Sequence, residues 1–313
     1  MVFCALLASA PANGQVPPDP EPVIAAGVTV AGVDVGGLTA AEARAAVQAF
    51  FARPLNLRLG TERTSVRPTR FGARARIPLA ISAALSAPAD RALRLRVVVS
   101  GPALRAWVAR KARVFHRKPV NARIILRGSK PRIVAARLGR RLVKPEARTR
   151  IRAALLAHRR ALRLQVRSIR PAITPRKVGP AIVVRRGSRR LVLYRGSKPG
   201  KMRVVRRFPV AVGQPAWPTP LGSFAIRTMT RNPWWYPPDQ PWAEGAQPIP
   251  PGPGNPLGTR WMGVGGGVGI HGTYNSGSVG TAASHGCIRM HISSSEWLFE
   301  RVRIGTPVYI IGS

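Results

Sequence analysis

The chain has 313 residues, enough for about two or three domains that each bury a core. Hydrophobic residues make up 45% of the sequence and charged residues 20%, a balance that excludes a disordered chain. The formal net charge is +40, so anionic wall polymers or lipid are expected partners. Because no helix-turn-helix, zinc-finger or RNA-binding motif accompanies the charge, specific nucleic-acid recognition is not expected.

The first 14 residues resemble the end of a secretory signal. They contain a short apolar run and an Ala-Ser-Ala site, but no basic start. The run is too short to span a bilayer as a helix. We therefore expect an exported protein in a cell wall or periplasm-like space, with this segment either cleaved or kept as a membrane tether. Cleavage removes Cys4 and leaves Cys287 as the only cysteine.

A mixed helix-and-strand domain is predicted over residues 26–172, after a proline-rich linker at 15–25. A helix-to-strand pattern that starts at Glu42 recurs from Glu146, which indicates two similar structural units. Thr39 precedes the first unit and forms a capping-box pattern with Glu42. The predicted elements are helices over 40–52 and 102–115 and strands over 55–59, 122–126 and 132–136.

A second, mostly β domain is predicted over residues 181–313, after a basic linker at 173–180. Glycine-rich turns separate its first strands, which is typical of a β-meander. A serine run ending at Glu296 predicts a helix cap near the C-terminus. The predicted elements are strands over 181–184, 190–194, 202–212 and 306–311 and a helix that ends near residue 302.

The stretch from His271 to Met290, HGTYNSGSVGTAASHGCIRM, contains Cys287. A thiol is mostly protonated near neutral pH, so a cysteine nucleophile needs a base that accepts its proton. His271 can be this base if the chain between the two residues folds back, because their separation excludes neighbouring positions on one helical face. The stretch therefore predicts a cysteine–histidine catalytic pair.

Other residues of this stretch fit the same chemistry. The backbone amides of His285, Gly286 and Cys287 can stabilise a developing oxyanion. Arg289 supplies a fixed cation that can bind a carboxylate on the substrate.

Two other interpretations stay open at this stage. Zinc could bind these thiol and imidazole groups, although the spacing lacks a paired CxxC or HxxxH pattern. The ligands would be His271, His285, Cys287 and His291. Alternatively, a buried thiol could lie beside histidines that only pack in the core.

The block IHGT…SHGCIRM resembles the signature of the L,D-transpeptidase catalytic domain, also called the YkuD domain. The resemblance covers residues 180–311, and three upstream segments match further landmarks in the expected order: TPLGSF, NPWWYPP and NPLGTRWMGV. The N-terminal pattern GVTVAGVDVGGLT resembles the peptidoglycan-binding domain often found ahead of this catalytic domain. A spacer that binds nothing is the alternative for that region.

The resemblance implies a β-sandwich with a short helix, and a nucleophile at Cys287 that attacks the L-to-D peptide bond of a peptidoglycan stem tetrapeptide. It implies that His271 is the general base and that the carbonyl of Gly272 orients its ring. Ser284 and Arg289 correspond to positions that shape the substrate pocket. The implied partners are stem peptides and glycan, with no cofactor or metal, and we expect a monomer.

A proline-rich aromatic segment spans residues 231–256 and is too rich in proline for regular structure. Its aromatic rings are Trp234, Trp235, Tyr236 and Trp242. We expect these rings to line or cover a cleft by stacking on sugar or stem-peptide surface, with Trp235 and Tyr236 as substrate contacts. We also expect one of the two adjacent tryptophans to be mainly structural.

Four functions remain to be distinguished. An L,D-transpeptidase resolves its acyl-enzyme with an amine from a second stem, whereas an L,D-carboxypeptidase uses water at the same site. A non-catalytic, basic wall-binding protein would keep its function without the thiol. A basic nucleic-acid binder would bind DNA with a steep salt dependence.

Overall fold

The computed structural model describes residues 21–313, so the predicted signal-like segment lies outside the described residues. No helix in this described range is long and apolar enough to cross a membrane. The helices are α1 (Ala40–Ala52), α2 (Ile77–Leu85), α3 (Gly101–Phe115), α4 (Lys144–Leu156) and α5 (Ile292–Phe299).

Short strands make up most of the remaining regular structure. Those in the first half of the chain are β1 (Thr29–Val30), β2 (Val33–Asp34), β3 (Leu55–Leu59), β4 (Glu62–Val66), β5 (Ala73–Ala75), β6 (Ala92–Leu93), β7 (Val97–Val99), β8 (Arg123–Arg127), β9 (Lys130–Val134), β10 (Gly139–Leu142), β11 (Ala161–Leu164) and β12 (Val166–Ile169). Those that follow are β13 (Ala181–Arg185), β14 (Arg190–Arg195), β15 (Gly200–Lys201), β16 (Arg203–Pro209), β17 (Val212–Gly213), β18 (Gly222–Ala225), β19 (Thr228–Arg231), β20 (Arg260–Gly265), β21 (Val268–Thr273), β22 (Ala282–Ser284), β23 (Ile288–His291) and β24 (Pro307–Ile311).

The described residues divide into two compact units. The first contains residues 21–116 and Arg141–Arg167, and the second contains Arg117–Arg140 and Ser168–Ser313. The first unit mixes helices and short strands, as the sequence predicted. The second unit is mostly β.

The repeated pattern of the first unit forms two matching helix–strand pairs. Strand β3 follows α1, strand β11 follows α4, and the two strands pair in parallel from Ala161 opposite Asn56 to Leu164 opposite Leu59. The capping box is present as predicted, because the Thr39 amide donates to the Glu42 carboxylate at 2.9 Å while the Glu42 amide donates to the Thr39 hydroxyl at 3.4 Å. The inward faces of both helices are fully buried, which explains the apolar spacing in the sequence.

Two sheets of the second unit form a sandwich. The five-stranded sheet has the order β16-β14-β13-β24-β18, and the four-stranded sheet has the order β19-β20-β21-β23. Side chains from both sheets meet in one buried core, to which α5 adds Leu298 and Phe299. The predicted β-sandwich with a short helix is therefore confirmed.

Helix α5 starts earlier than the serine run predicted. Strand β23 ends at His291 and the helix begins at the next residue, so the serines lie in its first turn rather than ahead of it. The Ser295 hydroxyl is buried and donates to the carbonyl of Ile292 at 2.7 Å. Serine occurs both at helix caps and inside helices, where its hydroxyl can bond to a carbonyl of the preceding turn. The serine run therefore resembled a cap in the sequence, and the predicted start of α5 was too late.

The hairpin formed by β8 and β9 packs within the second unit, whereas the sequence placed these residues in the first domain. Ile133 is buried against the outer face of the five-stranded sheet, beside Tyr194 and Tyr309. The Tyr309 hydroxyl donates to the carbonyl of Ile124 at 3.1 Å. The hairpin joins this unit because its apolar face covers a sheet surface that would otherwise be exposed. The domain limits drawn from the sequence stay a prediction.

Replacing Ile133 by alanine tests this packing. We expect the free energy of unfolding to fall by about 2–5 kcal/mol, because the change leaves a cavity against the sheet. Leu138 is 61% exposed on the same segment, and Leu138→Ala serves as the control, with an expected change within about 0.5 kcal/mol. Thermal and urea unfolding of the full chain measure both, and equal effects would contradict the packing.

Candidate active site

Strand pairing in the four-stranded sheet brings the predicted pair together. Strands β20 and β21 form a hairpin, and β21 pairs in parallel with β23 so that His271 lies opposite Arg289. Cys287 immediately precedes β23 and lies two positions before Arg289. Because side chains two positions apart share a face of a sheet, Cys287, Arg289 and His271 are directed to the same side.

A tight turn presents the cysteine. The Ser284 side chain is fully buried, and its hydroxyl donates to the carbonyl oxygen of Cys287 at 2.6 Å, which closes the turn. Gly286 has a φ of 107°, a conformation that favours glycine and explains why the turn needs this residue. The Ser284 hydroxyl is thus used to hold the turn through the Cys287 carbonyl, and its predicted contact with substrate stays a prediction.

His271 is held by its own strand. Its Nδ1 lies 2.7 Å from the carbonyl oxygen of Gly272, as the family resemblance implied, so we assign the donated proton to Nδ1 and leave the Nε2 lone pair free. The ring is 3% exposed and packs against Trp261 across the β20–β21 hairpin. Burial lowers its pKa to about 4, with a smaller effect from Arg289, while the hydrogen bond to Gly272 opposes this. The imidazole is therefore neutral at pH 7.

The Cys287 thiol is partly exposed and points toward the turn of the β20–β21 hairpin, where its Sγ lies 3.7 Å from the carbonyl oxygen of Gly267. Burial raises its pKa above the usual range for cysteine, while a backbone hydrogen bond from Gly269 and the charge of Arg289 act in the opposite direction. Cys287 and His271 thus form a neutral pair at rest, rather than a thiolate–imidazolium pair.

Both residues line one cavity of about 830 Å³ in the second unit. Arg289, Ser284 and His285 line it as well, and Arg289 is the only permanently charged residue among the described residues of its wall. The aromatic part of the wall consists of Trp217, Trp234, Trp235, Tyr236, Trp242 and Trp261. The cavity is thus a largely apolar groove with a thiol, an imidazole and one cation, which is typical of a small-molecule or peptide site.

His285 is enclosed by two tryptophans. Its ring stacks on Trp242 with a centroid distance of 4.1 Å and an angle of 7°, and it meets the edge of Trp217 at 4.7 Å. Burial lowers its pKa, and the nearby Arg289 has a further lowering effect. These contacts fix the side chain of His285, so its amide and that of Gly286 lie on a rigid turn beside the sulfur.

Asn255 holds the aromatic segment in place. Its buried side-chain amide donates to the carbonyls of Pro233, Ile249 and Pro250 at 2.9–3.2 Å, and its oxygen accepts from the Leu257 amide at 2.8 Å. A buried asparagine with several hydrogen-bond partners fixes a loop that is mostly irregular. Asn255 therefore holds the two ends of the segment together, and the paired backbone hydrogen bonds between Trp235 and Ile249 add to this.

The predicted and observed site residues differ in a few places. Trp217, Trp261 and Asn255 were not predicted to belong to the site. Asn255 and Trp261 lie in the NPLGTRWMGV segment, which the sequence analysis matched to the family without assigning a function to its residues. His291 does not line the cavity. Within residues 21–313, no three His, Cys, Asp or Glu side chains are grouped closely enough to hold one metal ion, so the alternative zinc site is not assembled.

Two known protein families match parts of the chain. Residues 179–310 match the family described as "L,D-transpeptidase catalytic domain" (YkuD), and residues 59–163 match the family described as "Putative peptidoglycan binding domain". The chain therefore carries a catalytic domain of the L,D-transpeptidase family, preceded by a domain of the peptidoglycan-binding family.

Individual relatives match the catalytic part. "Putative L,D-transpeptidase YqjB" of Bacillus subtilis (strain 168) is 38% identical over 109 residues, which cover 33% of this chain and 57% of that protein. "Probable L,D-transpeptidase YbiS" of Escherichia coli (strain K12) is 32% identical over 111 residues, or 33% of this chain and 36% of that protein. The match thus spans about half or less of each relative. A crystal structure of the Enterococcus faecium L,D-transpeptidase C442S mutant aligns with 86% of this chain and 100% of its own, at 16% identity and a TM-score of 0.35.

The neutral resting pair predicts a simple pH titration. Because burial raises the pKa of Cys287, the thiolate absorbance at 240 nm should stay flat between pH 5 and 8 and rise only above about 8.5, the usual thiol value. The difference spectrum between the full chain and Cys287→Ala isolates this thiol. A rise in this absorbance below pH 7 would instead indicate a preformed thiolate–imidazolium pair and contradict the neutral pair.

Proposed function

We propose that this protein is an L,D-transpeptidase that forms peptidoglycan cross-links through a thioester on Cys287. The observation that carries the proposal is one cavity lined by a thiol and by an imidazole whose Nδ1 is held by the Gly272 carbonyl. The family of residues 179–310 supports the same reaction class.

In the first step, Sγ of Cys287 attacks the carbonyl carbon of the L-to-D peptide bond of a stem tetrapeptide. The thiol proton passes to Nε2 of His271, which is neutral and therefore able to accept it. The amides of His285, Gly286 and Cys287 stabilise the oxyanion, an interaction for which one donor contributes about 10²–10³ in rate. When the tetrahedral intermediate collapses, the C–N bond breaks, His271 returns the proton to the amine, and D-alanine leaves.

In the second step, an amine of another stem peptide attacks the thioester. His271 accepts the proton of the amine and returns it to the sulfur, so that an amide bond forms and the thiol is regenerated. Water attacking the same thioester gives an L,D-carboxypeptidase instead.

Arg289 orients the donor in this proposal. Its guanidinium is half-buried on the cavity wall, and burial lowers its pKa. The charged form therefore has an unfavourable desolvation free energy unless an anion binds beside it. A carboxylate on the stem peptide supplies that anion through a bidentate contact. Tyr236 lines the same cavity and adds a substrate contact, whereas the half-buried Trp235 is the structural member of the tryptophan pair.

The remaining partners follow from the same proposal. The domain that includes residues 59–163 brings the enzyme to peptidoglycan, and its family supports this role. A substrate in the wall requires an exported protein, and the net charge of +40 favours additional adhesion to anionic polymers or lipid. We propose a monomer without cofactor or metal.

Replacing Cys287 by alanine tests the chemistry. With a purified disaccharide tetrapeptide as donor and acceptor, the full chain should give a dimer linked through an amide, an intact-protein mass adduct on Cys287, and released D-alanine. Cys287→Ala should give none of these. Products that contain only the shortened tripeptide stem would identify water as the acceptor, and residual cross-linking by Cys287→Ala would contradict a thioester route.

His271→Gln tests the general base, and His291→Gln is its matched control. His271→Gln should lower kcat/KM by about 10²–10⁴, the usual contribution of a positioned general base. His291 follows the same motif but does not line the cavity, so His291→Gln should stay within about twofold of the unaltered chain. Circular dichroism of both variants checks the fold, and equal losses would argue against His271 as the base.

A further inference from the structure

Two aromatic rings on the rim of the cavity are exposed to solvent. Trp234 is 50% exposed and Tyr236 is 67% exposed, and their nearly parallel rings have centroids 6.3 Å apart at an angle of 22°. Both line the cavity that contains Cys287. Large aromatic surfaces beside a reactive site and open to water indicate a binding surface rather than a packing role.

The backbone explains why these two rings point outward together. Trp235 lies between them and exchanges two backbone hydrogen bonds of 2.9 Å with Ile249, so the chain is locally extended. Side chains alternate along an extended chain, and the half-buried Trp235 therefore faces inward while its neighbours face outward. Trp235 is the packed member of the adjacent pair of tryptophans.

The surface is rigid before any ligand arrives. Asn255 fixes the segment through the carbonyl of Pro233, the residue directly before Trp234, at 2.9 Å. The backbone that carries the rings therefore does not need to be ordered on binding, which lowers the entropy cost of a contact. A flexible loop with the same sequence would offer no such preformed surface.

The charge of the wall limits the kind of ligand. The chain has 51 Lys and Arg residues, yet Arg289 is the only permanent charge on the cavity wall among the described residues, and no Asp or Glu lines it. An ammonium group would find no counter-charge there, and a second anion would find no second cation. The part of the substrate that lies on Trp234 and Tyr236 is therefore uncharged.

We propose that Trp234 and Tyr236 bind a pyranose ring of the glycan strand that carries the donor stem. The inference rests on the proposed function and adds the sugar to the part of the substrate that the site recognises. The C–H face of a pyranose is apolar and stacks on an aromatic ring, while its hydroxyl and acetamido groups stay in water at the rim. An N-acetylated amino sugar joined to its stem through an amide is neutral, whereas the stem peptide itself carries charges.

The first experiment compares two donors that share one stem: the free tetrapeptide and the disaccharide tetrapeptide. The ratio of their kcat/KM values should favour the disaccharide donor, and in Trp234→Ala and Tyr236→Ala this ratio should fall by about tenfold. Tyr274 is 44% exposed and does not line the cavity, so Tyr274→Ala should leave both values unchanged. Equal losses on both donors, or no loss on either, would overturn the proposal.

A second measurement separates this proposal from the proposed function. In the full-length Cys287→Ala chain, the indole N–H resonance of Trp234 is assigned by its absence in the Cys287→Ala, Trp234→Ala double variant. Chitotetraose, an uncharged oligomer of N-acetylglucosamine, should shift that resonance at millimolar concentration even if the protein forms no thioester with any donor. Chitotetraose that leaves the resonance unmoved would overturn the sugar site. A shift in this variant, combined with no mass adduct on Cys287 of the unaltered chain, would overturn only the proposed reaction.

Discussion

The hydrogen bond from Nδ1 of His271 to the carbonyl of Gly272 determines what the site can do. It fixes the tautomer, and burial lowers the pKa of the ring to about 4, so a neutral imidazole with a free Nε2 lone pair lines the same cavity as a neutral thiol. In the reaction that we propose, charge develops only when a substrate carbonyl accepts the sulfur, at the point where the turn amides can stabilise it. The pair avoids the cost of holding an ion pair in an apolar cavity at rest.

The parallel pairing of β21 with β23 makes this arrangement possible. It brings two segments that are distant in sequence to neighbouring positions, with His271 opposite Arg289 and the Cys287 turn directly before β23. The aromatic segment lines the same groove, and the hydrogen bonds of Asn255 hold it where its prolines limit regular structure. The chain is strongly basic, yet Arg289 is the only permanent charge on the described cavity wall, and we propose adhesion for the basic residues and chemistry for the cavity.

Local patterns in the sequence predicted local structure well. The capping box at Thr39, the helix–strand repeat and the strands that open the second unit all stand where the residue spacing placed them. The sequence is less informative where distant packing decides the outcome. The β8–β9 hairpin has ordinary strand spacing, and only the outer sheet face around Tyr309 shows which unit it joins. Ser295 looks like a cap in the sequence but bonds within the helix.

The candidate site was predictable in its reactive groups because a lone cysteine needs a base nearby. Its aromatic wall was predictable in part, because the rings of the proline-rich segment were expected at a cleft and do line the cavity. Trp217 and Trp261 lie outside that segment, and nothing in their local sequence pointed to the cavity. The most direct measurement of the central claim is a long-range ¹H–¹⁵N spectrum of the His271 ring at pH 7, assigned with His271→Gln. The account predicts a neutral ring protonated on Nδ1 that gains its second proton only near pH 4. An imidazolium at pH 7, or a ring protonated on Nε2, would contradict it.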